Sequence, residues 1–237
     1  MKSIVKIVYP GKELKLATED GYESMDLLGR ELDLEVCEER RCVGFHSERG
    51  EMTPCPEFRK IESGDQCQEC RRKDIYTSWR KGESSPEFEA SYSVYLALCG
   101  SKVKVGVSRS SRLQQRWREQ GADFAAEIES GLSGEEALET EKEISSQGIK
   151  ERIRKEHKLK EADSRDLREN MRELEIEAEI EAVHANKMSA SKLVRKGPIP
   201  SPVKSIQGQI VSDARLAMAI TSGKVVKKKQ QKNLESY

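Results

Sequence analysis

Four cysteines, Cys42, Cys55, Cys67 and Cys70, are separated by 12, 11 and 2 residues. The last pair lies in Gln66-Cys67-Gln68-Glu69-Cys70, where two intervening residues let one tight turn present both sulfurs to a single ion. Zinc is borderline-soft and accepts thiolate, and four thiolates close a tetrahedral shell with no open position. The expectation is a structural Zn²⁺ on these four residues, stapling a segment with little hydrophobic periodicity. Pro54 and Pro56 flank Cys55 and stiffen its loop. A redox pair at Cys67 and Cys70 is the rival reading, but it normally sits at a helix N-terminus beside a parallel sheet, and neither is evident. Cys37 is an alternative to Cys42, and His46 to one of the thiolates. Cys99 ends an apolar run and reads as a core residue. His157 and His184 fall among charges and read as surface residues.

The elements around this segment come from a chain of 237 residues with 35% hydrophobic and 35% charged residues. Ordinary globular chains are about 45–50% apolar and about 25% charged, so several thin cores are expected rather than one large one. No apolar run approaches the roughly 18 residues that cross a bilayer, and no signal-peptide pattern opens the chain. A cytoplasmic, non-membrane protein is expected, a setting in which cysteines bind metal more often than they pair. Net charge is zero, yet residues 123–183 hold 19 acidic and 10 basic residues, whereas 184–237 hold 2 and 11. Such polarity suits contact with a polyanion.

Residues 3–9 and 13–17 read as strands around Pro10-Gly11, and 27–36 ends in a third. Residues 92–100 and 102–108 read as a hairpin. Helices are expected over 111–122, stopped by Gly121, and over 133–148, capped by Ser133. Residues 150–187 read as a long charged helical stretch and 195–202 as a linker by composition. Three more strands follow, ending in the basic run Lys227-Lys228-Lys229. The fold class is α+β, in five parts: N-terminal strands (1–36), a zinc-binding loop region (37–90), a central module (91–149), a charged helical segment (150–194), and a linker with basic strands (195–237). The first and last strands are expected to pair into one small β module.

Within the central module, Ser93-Val94-Tyr95, Lys104-Val105-Gly106, Arg112 to Arg116 and Ala137 to Ile144 together resemble a GIY-YIG nuclease domain. The resemblance implies a small sheet flanked by helices, with Tyr95, Arg116 and Glu141 as catalytic residues and Mg²⁺ on Glu141 if the module is a nuclease. It departs from that pattern where Lys104 replaces the second tyrosine and Ser93 a glycine. A lysine with a lowered pKa is the substitute proton carrier there. The cysteine loop, the string from Tyr95 to Ala122 and the late Ile206-Gln207-Gly208-Gln209-Ile210-Val211 resemble the prokaryotic family called domain of unknown function 2797. That resemblance implies a layout and no activity.

Lys102, Lys104, Arg109, Arg112, Arg116 and Arg118 lie within 17 residues, and Arg71 and Arg72 follow the cysteines directly. Lys102 and Lys104 share a strand face; Arg112 and Arg116 share a helix face. Trp117 is expected to pack its helix onto the sheet, and the cations to contact nucleic acid. Three functions follow. The first is a non-catalytic binder of RNA, such as transfer RNA, ribosomal RNA or the ribosome. The second is a metal-dependent nuclease. The third is an adaptor on a large assembly, with 150–187 as its contact arm.

Overall fold

The computed structural model describes residues 1–48, 50–80, 90–184, 188, 190 and 192–229. Alternating apolar residues make β1 (Lys2–Val8) and β2 (Glu13–Ala17) a hairpin, to which β3 (Tyr22–Asp26) adds. The other edge of β1 pairs with β16 (Lys224–Lys228), then β4 (Leu34–Arg40) and β12 (Gly197–Pro198). Six strands thus run β12-β4-β16-β1-β2-β3, with Lys2 opposite Val226 and Ser3 opposite Val225. The two ends of the chain do pair, as expected.

A second sheet, β11-β15-β14-β13, comprises Lys192–Val194, Leu216–Ala219, Ile210–Ser212 and Ser205–Gln207 in that order. Ile4, Leu14, Leu16 and Val226 of the first sheet form one core with Ile206, Val211 and Met218 of the second. Period-2 alternation gives each sheet one apolar face, and the two faces remove each other from water.

The middle of the chain builds a separate sheet, β10-β9-β7-β8. All eight residues of β7 (Tyr92–Cys99) are buried between β8 (Lys102–Arg109) and β9 (Phe124–Leu132). Tyr95, Ala97 and Cys99 meet Leu113 and Trp117 of α3 (Leu113–Gln120) on one face. Val94, Leu96 and Leu98 meet Ala137 and Ile144 of α4 (Gly134–Ser146) and Leu167 and Met171 of α5 (Ser164–Glu173) on the other. Gly121 ends α3 in the left-handed region, and Ser133 caps α4 in a reciprocal capping box with Glu136. Trp117 packs helix to sheet and Cys99 is a core residue, both as expected.

Four expectations need correction. Residues 150–184 are not one helix: only α5 is α-helical, and Glu181–Ala182 (β10) pairs with β9. Residues 175–182 alternate Glu-Ile-Glu-Ala-Glu-Ile-Glu-Ala, a period of two that lays Ile176, Ala178 and Ile180 against the sheet core; the charge content masked it. Residues 195–202 are not a linker either: β12 pairs with β4 and Ile199 is fully buried. The third strand is Tyr22–Asp26 (β3), which the sequence did not show; the strand expected at the end of 27–36 forms as β4 from Leu34, and Leu27 and Leu32 fill the core from irregular chain. His157 and His184 are half-buried rather than exposed. Residues 185–187, the end of the expected helical stretch, and 230–237, the end of the basic tail, lie outside the described residues.

Candidate metal centre

Cys42 lies two residues after the end of β4, and its amide donates to the Arg59 carbonyl at 2.8 Å. The chain then turns at Gly44, with φ of +93°. A Cβ there would collide with the Thr53 carbonyl and the Tyr22 hydroxyl, so glycine alone fits. A short hairpin follows, β5 (Phe45–Glu48) with β6 (Glu51–Thr53), and leads to Cys55. Cys67 is the N-cap of α1 (Gln68–Lys73), and Cys70 lies in the first turn of that helix. The sequence had shown no helix start at this pair; the structure places one there, together with two further thiols.

All four cysteines are buried, and their sulfurs lie within 4.8 Å of one another. Tetrahedral zinc–thiolate geometry, with Zn–S near 2.3 Å, sets sulfurs roughly 3.8 Å apart, so this donor set fits one metal ion. Backbone amides of Gly44 and Cys67 donate to the Cys42 sulfur at 3.5 and 3.2 Å, and the Cys70 amide donates to the Cys67 sulfur at 3.5 Å. Burial pushes the Cys42 thiol up to about 11 and also raises Cys70, where the neighbouring thiols add to it. For Cys67, burial is outweighed by the Cys70 amide and the adjacent thiols, and its pKa falls. Packed thiolates repel one another, and the charge of a divalent cation would offset that repulsion and keep them deprotonated. Cys37 sits on β4, outside this cluster.

His46 is not a ligand in this cluster. Its ring meets the Asp74 carboxylate at 3.3 Å and stands edge-on to Tyr76. Asp74 was missed in the sequence. It is buried and accepts from the His46 amide, the Gln66 side chain and the Tyr76 amide, tying the hairpin to α1 and α2 (Ile75–Arg80). Burial would raise the Asp74 carboxyl, but these donors hold it below its ordinary range. The available signal was an Asp placed directly before a helix, a cap position.

The motif residues converge inside the central module. Tyr95 on β7, Lys104 on β8, Arg116 on α3 and Glu141 on α4 act on one another electrostatically. Tyr95 is fully buried, and a Cβ at Gly106 would lie 2.6 Å from its ring. Burial pushes its hydroxyl up to about 12, and the Arg116 guanidinium nearby pulls it part of the way back. Burial first, and the charge of Arg116 second, pull Lys104 down to about 8, and its Nζ donates to the Glu151 carbonyl at 2.7 Å. Glu141 is raised by burial and by Glu151.

Lys104 therefore does not stand on the surface with its basic neighbours. Arg112 and Arg116 both approach Glu119, at 3.2 and 3.7 Å. Arg71, Arg72, Lys102 and Arg118 are exposed, and Arg109 is half-buried.

A family model described as "Protein of unknown function (DUF2797)" matches residues 29–231, and the chain belongs to that family. No curated protein and no solved structure matches it. Among the described residues, no helix is long and apolar enough to cross a membrane.

Proposed function

Starting from membership of that family, we propose that this is a zinc-stapled, cytoplasmic nucleic-acid-binding protein that contacts RNA, free or in the ribosome, without cleaving it. One observation carries the reading. Arg71, Arg72, Lys102, Arg109 and Arg118 have no carboxylate partner among the described residues. Other surface cations are tied to carboxylates, as in Lys2–Glu23, Arg30–Asp26, Arg59–Glu57 and Lys196–Glu38, and are less available to a phosphate. Cations without such a partner displace the counterions condensed on nucleic-acid phosphates into bulk solution, which gives affinity that falls steeply with salt. Two of these arginines stand on α1, the helix that carries Cys70, so the metal would hold them in place. The expected result is one zinc per chain by elemental analysis and binding of bulk transfer RNA that weakens linearly in log–log salt titration. No binding at low salt, or binding insensitive to salt, refutes the proposal.

The convergence of Tyr95, Lys104, Arg116 and Glu141 favours a second reading, a GIY-YIG-like nuclease. Glu141 would hold Mg²⁺, which supplies charge stabilisation at a phosphoryl group. Lys104, with its pKa near 8, would be partly neutral at pH 7 to 8 and able to take a proton from water. The depth of Tyr95 weighs against it, because no phosphate reaches a fully buried hydroxyl. Mg²⁺- or Mn²⁺-dependent cleavage, lost in Arg116→Ala or Glu141→Ala, would establish this reading over the first. The packing of α5 and β10 on the central sheet weighs against a projecting arm in the adaptor reading.

A further inference from the structure

Residues 148–154 leave α4 and run along the open edge of β8, where Lys150 bridges Lys104 and its carbonyl accepts from the Val105 amide at 3.2 Å. Between this segment, the β7–β8 turn and α5 lies a cleft of about 650 Å³. That is within the roughly 300–1,000 Å³ of sites for small organic ligands.

Its lining is divided. Leu98, Val103, Ile149 and Ile153 give it an apolar floor. Lys102, Lys150, Arg152 and Arg154 give it a cationic wall, and none of the four has an ion-pair partner among the described residues. Asp166, Glu169 and Asn170, at i, i+3 and i+4 on one face of α5, give it a wall of acceptors. Asn170 Nδ2 donates to the Asp166 carbonyl at 2.7 Å, leaving its Oδ1 free to accept. Cations and carboxylates share one cleft without closing on each other. A simple anion would use only one wall and leave the floor bare.

We propose that this cleft binds one nucleotide, its phosphate against Lys150, Arg152 and Arg154, its base over the apolar floor with amino or imino hydrogens facing Asp166, Glu169 and Asn170. Guanidinium and ammonium groups match phosphate oxygens. Carboxylate and amide oxygens accept from base edges. The same chemistry is offered by a free mononucleotide and by one residue of a single strand; only the strand form rests on the RNA reading above.

The test uses the full chain, with AMP, GMP, CMP and UMP followed by amide NMR shifts, and a ten-residue mixed ribo-oligonucleotide followed by fluorescence polarisation. The variants are Lys150→Gln/Arg152→Gln for the cationic wall and Asp166→Asn/Glu169→Gln for the other. All four positions are solvent-accessible surface residues; a matching unfolding midpoint checks that each variant folds. At least one monophosphate is expected to shift Ser101, Lys150 and Asn170, and to lose roughly tenfold or more in affinity in Lys150→Gln/Arg152→Gln, as for a deleted charge-assisted hydrogen bond. The parent nucleoside should bind more weakly, and Asp166→Asn/Glu169→Gln should reorder the preference among the four bases. Mononucleotide binding without oligonucleotide binding keeps the cleft as a site for free nucleotides and refutes its strand form, while the RNA reading stands or falls on the transfer RNA titration. Oligonucleotide binding that both variants leave unchanged, with no shift at the cleft, refutes the cleft and keeps the RNA reading. Silence of the cleft to all five probes overturns the proposal.

Discussion

Lys104 shows how one side chain can carry two meanings. On the strand it belongs to a basic run; in the fold it is buried beside Arg116, Glu141, Cys99 and Lys158. Its lowered pKa has a consequence for stability. At pH 7 the folded and unfolded chains both carry its proton, and the full cost of burying the charge is present. Between about 8 and the ordinary lysine value of 10.5, the folded chain has shed the proton and the unfolded chain keeps it. Raising the pH through that window therefore removes the cost. Lys104→Met is expected to stabilise the protein at pH 7 by on the order of 3 kcal/mol, less the hydrogen bond to Glu151. The gain should shrink towards zero as the pH passes 10. Urea unfolding of both proteins at pH 7 and pH 10 measures this; Lys155, also pulled down to about 8 by burial, is present in both and cancels. A difference that does not change with pH would show that Lys104 titrates normally. The cysteines give a second prediction at this scale. Cys67→Ser removes one of the four thiols while leaving a hydroxyl that can still cap α1. It should abolish bound metal and speed amide exchange across residues 42–77, where few apolar contacts exist to replace the ion; retained metal would count against this ligand set.

At the scale of elements, hydrophobic period decided more than charge content. The helices at Leu113–Gln120 and Gly134–Ser146 both form where expected, the first stopped by Gly121 and the second capped by Ser133, although the first starts at Arg112 without a side-chain cap. Residues 175–182 have a helix-favouring composition but a strand period, and the period prevailed because it places three apolar side chains on the sheet core. Trp117 is the anchor of its face, meeting Tyr95 edge-on at 6.4 Å. Trp117→Ala should cost about 3–5 kcal/mol, the range for emptying a large aromatic site. Denaturant unfolding reads this directly, and a cost below about 1 kcal/mol would mean that the helix docks by other contacts.

At the scale of the molecule, β16 lies between β1 and β4, so the last described strand joins two that form more than 180 residues earlier. Ending the chain after Gly223 should leave β1 and β4 without the strand that joins them and melt the N-terminal sheet, while the central sheet, with its own two cores, retains its amide protection. Uniform loss of protection would instead make the protein one cooperative unit. The amino-acid sequence by itself determined the four-thiol set, the hairpin, the glycine-stopped and the serine-capped helix, and the pairing of the first and last described strands. These rest on spacing, capping chemistry and alternation, which are local properties of the string. Tertiary structure alone decided that Lys104 is buried, that Asp74 braces the cysteine hairpin, that Ile199 belongs to a core, and that Lys102, Lys150 and Asp166 share one cleft. Those facts depend on which distant segments meet, and burial, pKa and cleft shape arise only from that meeting.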